Sequence, residues 1–329
     1  MKAKRYFVSI LLLVLFCFTF TGCFTTMWLF GLFDDDDDDV ELTVDDKITV
    51  DTGVMQNVVK ITGDGLGKSH LAVSPDGKSL LYMQKTENSS VWELILLKDA
   101  LSPARTPLGI RDLNSLGWYN DSKTFIYSGL DGTEEKLIRS STAGGGKTYI
   151  TRNTIGTADG WPRIKKNKIL CQTKISGTIQ IVCLNDNGTE ITILVEGKQP
   201  FWHPTENKFV FVQNDNAICE MDLNSYQVTE LYSDKDSKFF SPTYSIDGKF
   251  IVFTQYGSVN ISANGGKKSQ VVNRHHLFLI NSDGTNRTQL TSGNVNTMYP
   301  SWGQNNELFF ISDVGGKDEI WKATVRKTN

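Results

Sequence analysis

Hydrophobic and polar positions alternate in short segments along the chain, and no sustained 3.6-residue apolar spacing follows the apolar N-terminus. One segment type, a short strand, a polar turn and an apolar strand, occurs six times. The copies are LAVSPDGKSLLYM (71–83), LGWYNDSKTFIYS (116–128), WPRIKKNKILCQT (161–173), PFWHPTENKFVFV (200–212), PTYSIDGKFIVFT (242–254) and PSWGQNNELFFIS (300–312). This spacing, with Gly, Asp and Asn in the turns, predicts β-strands rather than helices.

A second segment type, a strand, a turn and another strand, follows the copies, most clearly in LFLINSDGTNRTQLTSG (277–293). The copies align on Val73, Trp118, Ile164, Trp202, Tyr244 and Trp302. Successive aligned positions lie 45, 46, 38, 42 and 58 residues apart. Because a unit of four short strands cannot bury both faces of its sheet alone, such units stack around an axis. The pattern predicts an all-β protein, a six-bladed β-propeller of four-stranded antiparallel blades.

The last unit stops near Val325 with three strands, whereas VVKITGDG (58–65) is a lone strand without a hairpin partner before it. A lone strand leaves backbone donors and acceptors unpaired. We therefore expect 58–62 to pair with the edge formed by 320–323 and to complete blade six. This closure gives a propeller over residues 57–329.

The phrases SPDGKSLLY, LFLINSDGTNRTQLTSG and YPSWGQNNELFFISDVGGKDEIW resemble the WD-type repeats of TolB-like six-bladed propellers. The resemblance covers about 57–329, and the third copy is degenerate. It implies the fold but no single function, because such blades serve as binding platforms, enzyme scaffolds and regulatory domains. We expect no additional N-terminal domain of the TolB type, since only a short segment separates Phe33 from the first strand.

The N-terminus has the features of an export signal, with basic residues before a long apolar run that includes FTGC, residues 20–23. This ending resembles the bacterial lipobox, although Phe20 replaces its usual aliphatic residue. The resemblance implies a signal peptide over 1–22 and lipidation of Cys23. The alternative is an uncleaved signal anchor over 6–33, long enough to span a bilayer. Either anchor places the bulk of the chain outside the inner membrane. Phe24 in place of Asp favours the outer membrane, with the chain facing the periplasm or cell surface.

The acidic run Asp34–Asp39 predicts a solvated spacer within a linker over 23–56, because adjacent like charges repel and stay hydrated. The formal net charge of the whole chain is −3. With no basic excess we expect no nucleic-acid partner. We also expect no cofactor and a monomeric chain.

The four histidines are His70, His203, His275 and His276. Some TolB-like propellers are lyases with a metal held by His, so the resemblance raises that alternative. Adjacent strand residues point to opposite faces, so at most one of His275 and His276 faces inward. No G-x-S-x-G nucleophile motif occurs. We predict neither a metal site nor a catalytic residue.

Three internal cysteines follow the signal, and Cys171 and Cys183 are symmetric about Gly177, the expected hairpin tip. Directly opposed residues come near disulfide distance but leave the bond strained. Buried free thiols for Cys171, Cys183 and Cys219 are the default, and a Cys171–Cys183 disulfide is the alternative.

The 58-residue spacing arises from Gln255–Arg274, between the second and third strands of blade five. Long loops on rigid scaffolds often carry binding. We therefore predict a binding surface on this face; its candidate residues are Lys267, Lys268, Arg274, His275, Phe240 and Tyr299. A tolerated insertion or an extended hairpin is the alternative.

These features predict a membrane-anchored extracytoplasmic propeller that binds or scaffolds a protein or cell-envelope glycan without catalysis. The alternative is a polysaccharide lyase or hydrolase that uses channel-facing polar residues. A third option, a purely structural envelope protein, predicts no preferred face.

Overall fold

Apolar stretches such as LLYM (80–83) and FVFV (209–212) form continuous hydrophobic strands, and Gly- and Asp-containing turns separate them. Strands of this kind are buried on both faces. The computed structural model describes residues 47–99, 104–111, 113–132, 134–151, 156, 159–263 and 268–326. Within these residues the chain forms strands and turns but no helix, so none of them forms a helix able to cross a bilayer.

Two N-terminal strands, β1 (Thr49–Val50) and β2 (Met55–Lys60), precede the repeats. Blade one contains β3 (Lys68–Val73), β4 (Leu80–Lys85), β5 (Trp92–Leu97) and β6 (Arg105–Arg111). Blade two contains β7 (Ser115–Trp118), β8 (Thr124–Asp131), β9 (Glu134–Ser141) and β10 (Thr148–Tyr149). Blade three contains β11 (Gly160–Lys165), β12 (Lys168–Ile175), β13 (Thr178–Asn185) and β14 (Thr192–Glu196).

The second half of the chain repeats this order. Blade four contains β15 (Lys198–Trp202), β16 (Lys208–Gln213), β17 (Ala217–Asp222) and β18 (Val228–Ser233). Blade five contains β19 (Lys238–Tyr244), β20 (Phe250–Ala263), β21 (Lys268–Asn281) and β22 (Thr288–Gln289); β23 (Thr291–Ser292) follows it. Blade six contains β24 (Thr297–Trp302), β25 (Glu307–Ser312) and β26 (Glu319–Val325). Every blade is a four-stranded antiparallel sheet, which confirms the prediction of a six-bladed propeller.

The fourth strand of blade six is β2, so the two ends of the repeat region close the ring. Val59 pairs with Lys322, and the Ile61 amide donates to the Ile320 carbonyl at 2.8 Å. The predicted closure is therefore confirmed. The strand begins at Met55 rather than Val58, and a bulge between Gln56 and Val59 keeps it in register.

A buried ionic latch fixes this closure where the chain passes from β2 into blade one. The Lys68 Nζ lies 3.1 Å from the Glu319 carboxylate and also pairs with Asp64. Glu319 further accepts from the Thr62 hydroxyl at 2.5 Å and from the Gly65 amide at 2.8 Å. Because every polar atom of Glu319 has a partner, the buried charges are compensated.

The residues before β2 are also paired. β1 forms a two-stranded sheet with β23, and the Asp51 amide donates to the Leu290 carbonyl. Ile48 and Val50 pack against the core between blades five and six. The expected linker, 23–56, thus overlaps chain that is already part of the propeller. Cys23, the signal segment and the acidic run lie outside the described residues.

Six hydrophobic clusters make up the described core, and each lies between two neighbouring blades. One example joins Tyr82 of blade one to Phe309 of blade six. Each blade therefore buries both faces against its neighbours, which explains why the second and third strands lack polar alternation.

Blade five departs from the regular length. Strands β20 and β21 are 14 residues each and pair continuously from Phe250–Asn281 to Ala263–Lys268. The insertion is therefore an extended hairpin, the alternative considered from the sequence. The tip of this hairpin joins β20 to β21. The hairpin therefore extends from the end of blade five opposite to the turn between β19 and β20.

The described cysteines, Cys171, Cys183 and Cys219, are free thiols. The turn between β12 and β13 is centred one half-residue before Gly177, so Cys171 opposes Val182 and Cys183 opposes Leu170. The two sulfurs thus point to opposite sheet faces, where no disulfide can form. Burial raises the pKa of Cys171 well above that of a free thiol.

Candidate functional site

The first strands of the blades line a central channel, and five of them contain the same backbone irregularity. A β-bulge interrupts the pairing, and a non-glycine residue there has a left-handed backbone. These residues, with φ of 50–55°, are His70, Trp161, Gln199, Ser241 and Tyr299. Such conformations are costly for residues with a Cβ and are concentrated at ligand-binding sites. The channel wall is therefore the first place to search for a site.

Contacts between blades stabilise these bulges. The Trp161 amide donates to Ser115 Oγ at 2.6 Å, and the Ser241 amide donates to Gln199 Oε1 at 2.7 Å. Two tryptophans also donate to a neighbouring first strand, Trp118 to the Ala72 carbonyl and Trp202 to the Arg163 carbonyl. The first strands thus form a ring around the channel in which hydrogen bonds link neighbouring blades from blade one to blade five.

This ring encloses a cavity of about 350 Å³. The cavity extends from His70 and Trp161 to the turns after the first strands, at Pro75, Pro204 and Gln304. It therefore opens at the end of the propeller opposite to the β20–β21 hairpin. Its volume is in the range of small-molecule binding pockets.

The cavity wall is aromatic and has no acidic side chain among the described residues that line it. Its rings belong to Trp118, Trp161, Trp202, Trp302, Phe201, Tyr244 and Tyr299. The permanent cations of the wall are Arg163 and Lys165, both on β11. Flat apolar surfaces beside the positive charge of Arg163, which has no described carboxylate partner, suit a ligand that is anionic and partly apolar.

Arg163 lies close to two aromatic rings. Its guanidinium carbon is 5.6 Å from the ring centre of Trp161 and 5.5 Å from that of Phe201. Nη1 donates to the Leu116 and Pro162 carbonyls at 2.8 and 2.9 Å. These contacts orient the planar guanidinium at the channel wall while its positive charge has no described carboxylate partner.

The electrostatics of Arg163 follow from this position. Burial lowers its pKa to about 10, so the side chain stays protonated at neutral pH. Burial of His70, together with the charge of Arg163, holds the pKa of His70 at about 4, which leaves that imidazole neutral. His70 in turn packs on Tyr299, with ring centres 5.1 Å apart.

Glycine 117 allows Arg163 to reach the neighbouring blade. A Cβ at this position would lie 2.4 Å from the Pro162 carbonyl oxygen, far below any allowed contact. Blades two and three therefore approach closely here. Residues at the same level in three other blades, Ala72, Thr243 and Ser301, are small, which leaves channel space beside Arg163 and Phe201.

Lys165 and His203 lie nearer the channel mouth. The Lys165 Nζ donates to the His203 carbonyl at 2.8 Å and also to the Glu206 carbonyl. It lies 5.6 Å from the ring centre of Trp202. His203 accepts the Glu206 amide on Nδ1 at 3.0 Å, and burial lowers its pKa. The positive charge near the mouth comes from Lys165, which directs two of its donors to backbone carbonyls.

The residues predicted at the blade-five insertion are only partly brought together. His275 lies 5.8 Å from Phe240 and 4.6 Å from Tyr256 between ring centres, and its Nδ1 contacts Asn296. Arg274 donates to Asn294 at 2.6 Å. Tyr299 lies apart from this group and lines the channel.

The remaining two predicted residues belong to the distal hairpin. Lys268 pairs with Ala263 at the last described pair of the ladder, and Lys267 lies outside the described residues. The predicted surface is therefore spread along an arm and is not a pocket.

No group of three or more His, Cys, Asp or Glu residues that could hold a metal ion occurs in the described parts of the chain. His70 and His203 line the cavity, whereas His275 and His276 do not. Sequence reasoning missed Arg163 and Lys165 because the third copy, WPRIKKNKILCQT, was treated as a degenerate repeat. The signal was a pair of basic residues two positions apart in a predicted channel strand.

Comparison with solved structures supports the fold. A putative TolB from Agrobacterium tumefaciens is 14% identical, with a TM-score of 0.59 over 83% of this chain and 99% of that one. A gluconolactonase from Xanthomonas campestris is 10% identical, with a TM-score of 0.57 over 85% and 94%. An oligogalacturonate lyase in complex with manganese is 12% identical, with a TM-score of 0.52 over 88% and 97%.

The fold is that of the TolB-like six-bladed β-propellers. No protein-family model and no curated protein sequence matches the chain. The similar structures include enzymes as well as TolB, so the shared fold leaves binding and catalysis both open, and the channel chemistry has to distinguish them.

Proposed function

We propose that this chain is an exported, membrane-anchored propeller that binds a protein or glycan of the cell envelope without catalysis. The ligand, or its terminal group, enters the central channel. The observation that carries this proposal is the aromatic and cationic cavity wall with no acidic side chain among its described residues. The N-terminal sequence supports lipidation at Cys23 with residence in the outer membrane, facing the periplasm or cell surface.

The hairpin face remains a second candidate surface within this proposal. Its strands project beyond the sheet, and Val271 is 64% exposed near its distal part. However, its His275 and Arg274 side chains are already paired with Asn296 and Asn294. The channel therefore takes precedence as the ligand site.

An enzymatic alternative has one observation in its favour. His70 is neutral and close enough to Arg163 for the guanidinium charge to lower its pKa, which places a weak proton acceptor near a group that can bind a carboxylate. A glycoside hydrolase of the usual kind needs two carboxyl groups, and the described cavity wall provides neither. Incubation with acidic polysaccharides, followed by ultraviolet absorbance of unsaturated products, separates the lyase from a binding module. Steady product formation that His70→Gln abolishes would replace the binding proposal with the lyase.

The binding proposal is tested with detergent-solubilised full-length protein exposed to envelope extracts. Two variants are compared with the wild type: Trp161→Ala in the channel, and a chain in which Asn-Gly replaces residues 258–273. Gly257 and Arg274 already pair, so a two-residue turn can close the shortened hairpin.

We expect the bound component, identified by mass spectrometry, to be lost with Trp161→Ala and retained by the shortened hairpin. Loss only with the shortened hairpin would move the site to that arm. If the wild-type chain retains no component, the binding proposal fails and a purely structural role is favoured. Mass spectrometry of the mature N-terminus tests the lipid on Cys23.

A further inference from the structure

The strongest unexplained group in the channel is the Arg163 guanidinium. Among the described residues it has no ion-pair partner, and its Nη1 donates hydrogen bonds to the Leu116 and Pro162 carbonyls. By contrast, the buried Lys68 is paired with Glu319 and Asp64. Arg163 is only partly buried, but a partly desolvated charge without a counter-ion is still costly, and an anion that enters the channel would supply the opposite charge.

Two aromatic rings shape the space around this charge. The guanidinium carbon lies at similar distances from the ring centres of Trp161 and Phe201, 5.6 and 5.5 Å. These rings and the two Nη1 hydrogen bonds to backbone carbonyls restrict the guanidinium to the channel wall. A planar fork matches a carboxylate, which can accept two parallel hydrogen bonds.

At the level of the channel where Arg163 lies, only blade three has a charged residue. The corresponding residues of the other blades are Ala72, Gly117, Phe201, Thr243 and Ser301. The charge is therefore not a requirement of the repeat, because five blades close the same ring without it. The position is free to serve a ligand.

We propose that Arg163 is the recognition residue of a carboxylate site in the channel, with Trp161 and Phe201 holding a flat or apolar group attached to that carboxylate. This inference rests on the proposed channel-binding function and specifies its ligand chemistry. Lys165, nearer the mouth, contributes positive potential that guides the anion inward. Sources of such a group include the C-terminus of a peptide, an acidic sugar and a free organic acid.

The test is calorimetric titration of the full-length protein in detergent with matched probe pairs. These pairs are benzoate and benzamide, a phenylalanine-terminated dipeptide as free acid and as amide, and glucuronate and glucose. We expect the carboxylate member of at least one pair to bind, and its neutral partner to bind at least about tenfold more weakly. The pair that binds tightest identifies the source.

Variants separate the guanidinium from general effects. Arg163→Met removes the charge at similar length, Arg163→Gln keeps donors for the two carbonyls, and Arg111→Met removes an exposed arginine of β6. We expect the Met and Gln variants to weaken carboxylate binding by about ten- to a hundredfold and Arg111→Met to leave it unchanged. Circular dichroism and thermal unfolding check that each variant folds; if the Met variant does not, the Gln variant decides.

The inference is overturned if no carboxylate binds the wild type, or if Arg163→Gln binds it as well as the wild type does. This failure is distinct from failure of the proposed function. An envelope component that is retained by the wild type and lost with Trp161→Ala would still support channel binding, with another chemistry. Carboxylate binding without any retained envelope component would instead leave a small-molecule site.

Discussion

Blades three and five depart from the common repeat in different ways. Blade five has additional residues. Its strands β20 and β21 are 14 residues long, and their paired distal parts extend beyond the ring. It keeps small residues, Thr243 and Ser245, at the channel. Blade three has Arg163 and Lys165 at those levels.

The comparison shows that insertions and substitutions affect different parts of the propeller. Added residues lengthen a hairpin at the periphery because the antiparallel ladder can continue without disturbing its neighbours. Substitutions in a first strand change the channel chemistry without changing the fold, since six blades converge there. The insertion is easier to see in a sequence, whereas the substitution acts where ligands are enclosed.

The largest effect is expected from a substitution that weakens the ring closure, because blades three and five both depend on the closed ring. Lys68→Met leaves Glu319 buried without its cation, which should lower the free energy of unfolding by about 3–5 kcal/mol. Urea denaturation followed by tryptophan fluorescence measures this loss. Lys78→Met, at an exposed lysine of blade one, is the matched control. Equal stability of the two variants would contradict the latch.

The second effect concerns pH and the channel. His70 has a pKa of about 4 in the folded state against 6.5 for the free side chain, so between these values only the unfolded state takes up its proton. The contribution of His70 to stability should therefore be complete above pH 6.5 and fall as the pH decreases towards 4. When the pH is lowered from 7 to 5, the free energy of unfolding should decrease by roughly 1–2 kcal/mol less in His70→Gln than in the wild type.

Denaturation of both proteins at pH 7 and pH 5 provides the measurement. Other titrating groups, including the buried His276, are common to the two proteins and cancel in the comparison. An identical pH dependence would show that His70 is not held neutral by its channel environment.

The third effect sharpens the contrast between structural and ligand-directed charge. Unlike Lys68, Arg163 has no described carboxylate to leave unpaired, so Arg163→Gln should change the free energy of unfolding by less than about 1 kcal/mol. The same denaturation assay checks this value. A loss comparable to that of Lys68→Met would make Arg163 a structural residue.

The smallest effect is expected for the hairpin. Replacing residues 258–273 with Asn-Gly removes chain that pairs only with itself, so stability should change by less than about 1 kcal/mol. Thermal unfolding and benzoate titration check stability and channel binding together. Altered benzoate affinity in the shortened chain would show that the two blades are coupled.

Much of the fold was predictable because it follows from local pattern. Turn residues and apolar strands at a regular spacing gave the six blades, and the missing strand after Val325 gave the closure by β2. Free thiols at Cys171 and Cys183 were the default expectation and are confirmed, but their assumed direct opposition about Gly177 was wrong by half a residue, and strand facing reverses with every residue.

The channel site was less predictable because it is assembled from residues far apart in the chain. Arg163 meets Phe201 and Leu116 through contacts between three blades, and a linear pattern contains no trace of those contacts. Tyr299, a candidate for the insertion face, lines the channel and contacts His70 of the neighbouring blade. A bulge reverses the facing of a strand residue, which simple alternation does not anticipate.

The most direct measurement of the central claim, that the channel of blade three binds a carboxylate, is crystallographic. Crystals soaked in para-bromobenzoate locate the ligand through the anomalous signal of bromine. The account predicts bromine in the channel, with the carboxylate on Arg163 and the ring between Trp161 and Phe201. A signal confined to the β20–β21 hairpin, or an unoccupied channel at a concentration that saturates binding in solution, would contradict it.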